Sequence, residues 1–249
     1  KLEARTLSDM YDAEVAYQDH LLHQLLSELD SNFHHENTLV VFLADHGEML
    51  GEHGYMGHGF GVHEELIRVP LFMRVPGIQG QKRIKQRVSI TQVFHTILDY
   101  YGFESIAMPY ANEVDVGCQS LLRLRERDEC NASFAVSEAY PPENAVQIMQ
   151  RRAPELIERF HADHTQRAIY HDDLKMIAIE GVSKALFDLA SDFQEIQPYQ
   201  IQEQIRAMDR ELEAYLELCD AHSNSTPREK ISLKDEIIQQ RLRDLGYIE

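Results

Sequence analysis

The sequence predicts an α/β fold: a mostly parallel sheet flanked by helices, then a small antiparallel sheet with helices of its own. Three observations carry this. Residues 1–103 alternate helix-period and strand-like apolar runs. The run TLVVFLA (38–44) is apolar on both faces, as a buried parallel strand should be. Beyond residue 165, RAIYHDD, LKMIAIEG and SKALFDLA are short strand-like runs separated by polar or glycine turns. With 249 residues, 43% of them hydrophobic, the chain can bury a sizeable core in one large domain or a domain with a small appendage.

The first element is a helix from about Ser8 to Asp30. Tyr11, Val15, Leu21, Leu22, Leu25, Leu26 and Leu29 recur at three-to-four spacing, and Ser8 can cap the start. TLVVFLA follows, β-branched and too short for a helix. The glycine-rich ADHGEMLGEHGYMGHG (44–59) comes directly after it. LIRVPLFMRVPG (66–77) reads as a second buried strand closed by Pro76-Gly77. SITQVFHTILDYYGF (89–103) reads as a helix ended by Gly102. Between 104 and 165 the pattern is weak: YPPEN (140–144) marks a turn, and a helix is broken near Pro154. After the three strands, residues 200–219 and 233–245 read as acidic amphipathic helices joined by the linker SNSTPREK. A boundary near residue 165 divides a larger α/β domain (1–165) from a small α+β subdomain (166–249). No internal repeat or low-complexity tract is present.

Composition narrows the function. There are 42 acidic and 24 basic residues, a formal net charge of -18. Such a surface repels nucleic acid and anionic membranes, so a nucleic-acid partner is not expected. An anionic substrate would need a local positive centre, for which a metal ion is the natural candidate. No apolar run approaches the roughly 20 residues that span a bilayer. The first residues, KLEARTLSDMYDAEV, are too charged for a signal peptide. Cys118, Cys130 and Cys219 are scattered, form no CxxC motif, and read as free thiols. Asn131-Ala132-Ser133 fits a glycosylation sequon.

The loop after the first strand holds the chemistry. In open α/β sheets, ligands bind where loops leave the carboxyl ends of strands. Asp45 and His46 occupy that place, and a carboxylate beside an imidazole can coordinate a divalent cation. The following glycines permit sharp turns and close approach of a substrate. No HExxH motif is present, and Gly47 and Gly51 disfavour a helix carrying both His46 and His53. Spacing alone leaves metal binding and a solvated glycine loop equally open.

The run NTLVVFLADHGEMLGEHGYMGHGFGVHEELIRVPLFMRVPG resembles the C-terminal half of a sulfatase, in the alkaline-phosphatase-like superfamily. Those enzymes carry a strand, Asp-His-Gly or Asp-Asn-Gly, often Gly-Glu-His-Gly, a Tyr-Glu-Glu-like helix start and Arg-Val-Pro-Leu. SITQVFHTILDYYGF, RAIYHDDLKMIAIEG, KALFDLASDFQE and RLRDLGYIE resemble downstream family segments, whereas 104–165 matches poorly. The resemblance implies an alkaline-phosphatase-like sheet and one divalent metal ion, Ca2+ first and Mn2+ as the alternative. It implies hydrolysis of an anionic sulfate ester by a formylglycine nucleophile. Family relatives that act on phosphodiesters or phosphonate monoesters, phosphoethanolamine transferases, and a non-catalytic binding module that kept the fold are the alternatives.

Carried over by position, Asp45 and His46 correspond to two metal ligands. The family's lysine before the Tyr-Glu pair is absent. His58 stands nearest its place, as a catalytic and substrate-binding substitute. His53 is a second substrate-binding candidate, or fixes the turn. His63 is read as structural. Glu48, Glu52, Glu64 and Glu65 are read as solvated or paired with bases such as Arg68, itself a structural ion-pair residue. Lys175 is assigned no chemistry. The nucleophile signature and the paired aspartates that complete a sulfatase metal site are not found in this sequence. The expectation is therefore a C-terminal portion of a longer enzyme, without turnover alone, whose partner is the N-terminal half or a second copy. Compartment is left open, and the 104–165 segment is expected to contribute specificity.

Overall fold

A computed structural model describes residues 2–32, 37–81, 83–108, 111–115, 120–125 and 134–225. Helix α1 runs Leu2–Asn32. It starts earlier than predicted because LEAR continues the helix-favouring sequence upstream, so Ser8 lies inside it rather than at a cap. Leu22, Leu26 and Leu29 are half-buried, while Met10, Val15, Tyr17 and Leu25 face solvent. Arg74 Nη1 donates to Asp30 Oδ1 (2.6 Å) and ties the end of α1 to the chain beyond it.

Strand β1 (Val40–Leu43) is followed by the short strands β2 (Met49–Leu50) and β3 (Met56–Gly57), with a 3-10 turn at Glu52–Gly54 between them. The one-turn helix α2 (Glu64–Ile67) leads into β4 (Leu71–Arg74). Here the structure corrects the sequence reading. β1 and β4 pair antiparallel, Val40 opposite Arg74 and Leu43 opposite Leu71, and they form a two-stranded sheet. Neither is a buried strand: Phe72 is 65% exposed, and Phe42 and Leu43 also reach solvent. The physical reason lies in the connection. A parallel return needs a long crossover, usually helical, laid over the sheet. Residues 44–70 are instead taken up by a hairpin and a single helical turn.

Helix α3 (Gln92–Tyr100) ends as predicted at Gly102, whose φ of 83° suits glycine and whose N–H donates to the Asp99 carbonyl. Strands β5 (Ser105–Met108) and β6 (Ala111–Asp115) form an antiparallel hairpin that the sequence pattern did not reveal. A 3-10 turn, Leu121–Arg125, docks on α3. Leu121 N–H donates to buried Thr96 Oγ1, and the Arg123 guanidinium grips Asp99. That hydrogen bond holds the Asp99 carboxyl below the usual carboxylate range, against the opposing effect of burial.

Strand β7 (Phe134–Ala139) precedes α4 (Glu143–Arg152) and α5 (Pro154–Phe160), and the break between the helices falls at Ala153, before Pro154 as read. Then come β8 (Gln166–His171), β9 (Leu174–Ile179), β10 (Ser183–Asp188) and α6 (Gln202–Ser225). The three predicted C-terminal strands are present. The sheet has four strands, however, in the order β10-β9-β8-β7 and antiparallel throughout. The fourth strand, β7, comes from before residue 165. The helix read at 233–245, the sequon, Cys118 and Cys130 lie outside the described residues, and Cys219 is an exposed free thiol.

The four-stranded sheet is covered on both faces, and strand parity decides what each face meets. Ile169, Met176, Ala178 and Leu186 pack against Ile205, Met208 and Leu212 of α6. Ala168, Tyr170, Ile177 and Phe187 point the other way, where Val62, just after the glycine-rich segment, and Ile67 of α2 cover them. The back of the candidate site is thus built into the sheet's core.

Candidate functional site

The hairpin sets the front of the site. In the β2–β3 register Met49 faces Gly57 and Leu50 faces Met56. Continued one pair outward, Glu48 comes opposite His58, and directly opposed residues have Cβ atoms about 4.5–5.5 Å apart. His58 Nδ1 indeed lies 2.8 Å from Glu48 Oε2, and the His46 and His58 rings lie side by side with centroids 4.3 Å apart. Asp45 is adjacent: its Oδ1 accepts from His46 N–H (3.0 Å), and its Oδ2 is 3.7 Å from His46 Nε2. Gly47 anchors this end. Its N–H donates to the Leu66 carbonyl at 2.7 Å. A Cβ there would sit 1.9 Å from the Glu65 carbonyl oxygen, so only glycine permits the approach.

These side chains are open to solvent; that of Asp45 is 88% exposed. The donor set fits a divalent cation as part of its coordination shell. His46 Nδ1 is 2.9 Å from the Gly47 carbonyl, which can only accept, so Nδ1 is protonated and, in the neutral ring, Nε2 is the nitrogen left for a metal. Metal-binding imidazoles are oriented by this kind of second hydrogen bond. Calcium takes about six or more oxygen ligands, so Asp45 and His46 would supply only a share of a calcium shell.

The other end of the loop is buried. Lys175 projects from β9 on the loop side of the sheet, beside Tyr170 and Phe187, with no solvent exposure. Its Nζ donates to Glu64 Oε1 (3.2 Å) and meets Glu195 Oε1 (2.5 Å). Glu195 Oε2 accepts from the Glu64 backbone N–H (3.1 Å) and pairs with His63 Nδ1 (2.9 Å). The Tyr170 hydroxyl donates to Glu64 Oε1, and Arg87 approaches Glu64 Oε2 at 3.9 Å. Desolvating three ions costs several kcal/mol each, and such a cluster persists only when charges and hydrogen bonds answer one another. Burial alone would push the Glu195 carboxyl up; the His63 hydrogen bond and the Lys175 charge outweigh it and hold the group below its ordinary value. Burial, reinforced by the Glu64 carboxylate, drives the Tyr170 hydroxyl far above its usual range, so it remains a donor.

The structure therefore divides the residues singled out in the sequence. Asp45, His46 and His58 come together. His53 does not join them: its ring stacks on His63 at 3.9 Å, with Nε2 3.5 Å from Glu65 Oε2, on a left-handed backbone (φ 54°). Burial, and the neighbouring His63, lower its pKa against the pull of Glu65 and Glu195. Glu64 is not solvated; it is buried and paired with Lys175 rather than Arg68, which lies over the Phe193 ring. Lys175 and Glu195 were missed as a pair. The available signal was a lysine at an inward position of the otherwise apolar strand LKMIAI.

The sulfatase family model matches residues 4–103, which contain nearly all of α1, the loop and both clusters' loop residues. Arylsulfatase K of Mus musculus is 28% identical over 200 residues, covering 78% of this chain and 32% of that protein. Over residues 4–103 the chain is similar to the sulfatase family, and the relatives it matches over most of its own length are sulfatases. An ulvan-active sulfatase of Formosa agariphila is 38% identical over 87 residues, 34% of this chain and 17% of that protein. Among solved structures, the phosphonate monoester hydrolase of Agrobacterium radiobacter superposes with a TM-score of 0.59 at 22% identity, covering 84% of this chain and 40% of that one. That likeness establishes the fold, alkaline-phosphatase-like, and no more. The chain spans about a third of the length of the curated relative it matches over most of its own length. Among its described residues no helix is long and apolar enough to cross a membrane.

Proposed function

We propose that the chain is part of a metal-dependent sulfuric ester hydrolase and that the loop from Asp45 to His58 is its contribution to the metal site. One observation carries the reading: Asp45, His46 and His58 converge on one solvent-open face, on a loop pinned from behind by Gly47. Asp45 and His46 Nε2 serve as ligands. A bound divalent cation, Ca2+ first and Mn2+ as the alternative, would polarise the ester and offset the charge that grows on its oxygens. His58 keeps Nδ1 on Glu48 and turns Nε2 to the open side, where it can bind an ester oxygen or protonate the leaving group. In this reading His53 fixes the turn rather than binding substrate, a role supported by its stacking on His63. The remaining acids and a formylglycine nucleophile come from sequence outside this chain, and the chain alone does not turn over.

The test uses the full-length gene product that carries this chain, assayed with 4-nitrophenyl sulfate and a phosphonate monoester, with and without divalent cations. Cation-dependent sulfate release, lost in Asp45→Ala, is expected. Preference for the phosphonate would move the protein to the phosphonate hydrolase branch. Activity indifferent to both chelation and Asp45 would overturn the reading.

A further inference from the structure

The hairpin brings together more metal donors than the reading above uses. His46, Glu48 and His58 each offer one ligand atom, and these atoms lie within 4.8 Å of one another. Bonds of about 2.0–2.2 Å to one Zn2+ ion place ligand atoms a little over 3 Å apart, so the three side chains need to close by only an ångström or so. They are free to do so, because His46 and His58 are about half exposed. The loop's glutamates other than Glu48 are engaged elsewhere. Glu52 Oε2 accepts from Leu50 N–H at 2.6 Å, and Glu65 faces His53. Glu48 is left as the acid that meets the two open imidazoles.

We propose that His46, Glu48 and His58, with Asp45 beside them, form a site for a zinc-class dication that this chain holds by itself and prefers over calcium. It rests on the Asp45–His46 reading for one ligand, adds two further donors, and replaces that reading's calcium with a zinc-class ion on the ground of the nitrogen donors. Two imidazole nitrogens with carboxylate oxygens suit Zn2+ or Co2+, whereas calcium selects shells of oxygen. The backbone supports the geometry: the β2–β3 register sets Glu48 against His58, and the Gly47 carbonyl fixes the His46 ring with Nε2 free. Without an ester present, the ring assigned above to the substrate is available as a donor. The chain's charge of -18 adds a general attraction for cations without choosing among them.

The test is calorimetric titration of the chelator-treated chain with Zn2+ and, separately, Ca2+, with Co2+ absorption as a spectroscopic check on nitrogen ligation. Circular dichroism verifies that each variant folds. One Zn2+ per chain is expected, with calcium at least about 100-fold weaker, and with Glu48→Gln and His58→Ala each weakening zinc by about tenfold or more. A control, His164→Gln, should bind as the unaltered chain does. Zinc binding that survives Glu48→Gln and His58→Ala but falls in Asp45→Asn and His46→Ala would overturn this inference and leave the two-ligand reading standing. Binding unmoved by all four substitutions, no zinc binding, or tighter calcium binding would each overturn it as well.

Discussion

Two clusters of histidine and carboxylate are built from one segment, residues 45–65, and they differ in nearly everything but residue type. At the front, His46 and His58 stand in solvent beside the half-buried Glu48, which a cross-strand hydrogen bond joins to His58. At the back, the mostly buried His63 and the buried Glu64 are locked to Lys175, Glu195 and Tyr170, which are themselves buried. Buried ions must be answered in full, so the back cluster has little left to offer a ligand and acts as a clamp between the loop and the C-terminal sheet. Front charges cost little because water answers them, which leaves them free to exchange water for a cation or an ester. The same side chains are structural where desolvated and chemical where open.

The largest effect that could break this contrast is at Lys175. Lys175→Ala leaves two buried carboxylates without their ammonium and should cost about 3–5 kcal/mol, read from urea denaturation. A loss under ~1 kcal/mol would mean that Arg87 or water already answers Glu64 and Glu195, and the clamp would be no clamp. Next is Gly47→Ala, where the new Cβ must move the Glu65 carbonyl. A loss of about 1–3 kcal/mol is expected, with the Gly47–Leu66 hydrogen bond exchanging its amide proton faster. Acid should act through Glu195, whose folded pKa is lowered. Its stabilisation is complete above the ordinary carboxylate value of 4.5 and is lost as pH falls through the folded value. Glu195→Gln should flatten that acid limb of the stability profile. His53 contributes in a higher window. Its lowered pKa means that the unfolded chain binds the proton more readily, so stability falls as pH drops below about 6.5. His53→Gln should remove this slope. The smallest effect belongs to the front: His58→Ala should change stability by no more than about 0.5 kcal/mol. A loss as large as that of Lys175→Ala would erase the distinction between the clusters.

What sequence alone determined is local. The loop was found because Asp45-His46-Gly47 follows an apolar run and because its neighbours keep a family order. The helix end at Gly102, the break before Pro154 and strands β8 to β10 followed from glycine, proline and period-two patterning. These depend on backbone preferences and burial patterns that a short window contains. Tertiary structure decided the rest. Strand direction at β1–β4 depends on how residues 44–70 fold back, which apolar content does not encode. The fourth sheet strand, β7, was legible only once β8 supplied a partner, because strand pairing joins residues distant in sequence. The Lys175–Glu64–Glu195 clamp joins residues 111 apart between Glu64 and Lys175. No local pattern shows that a charge will be buried; that depends on which opposite charge the completed fold brings to it.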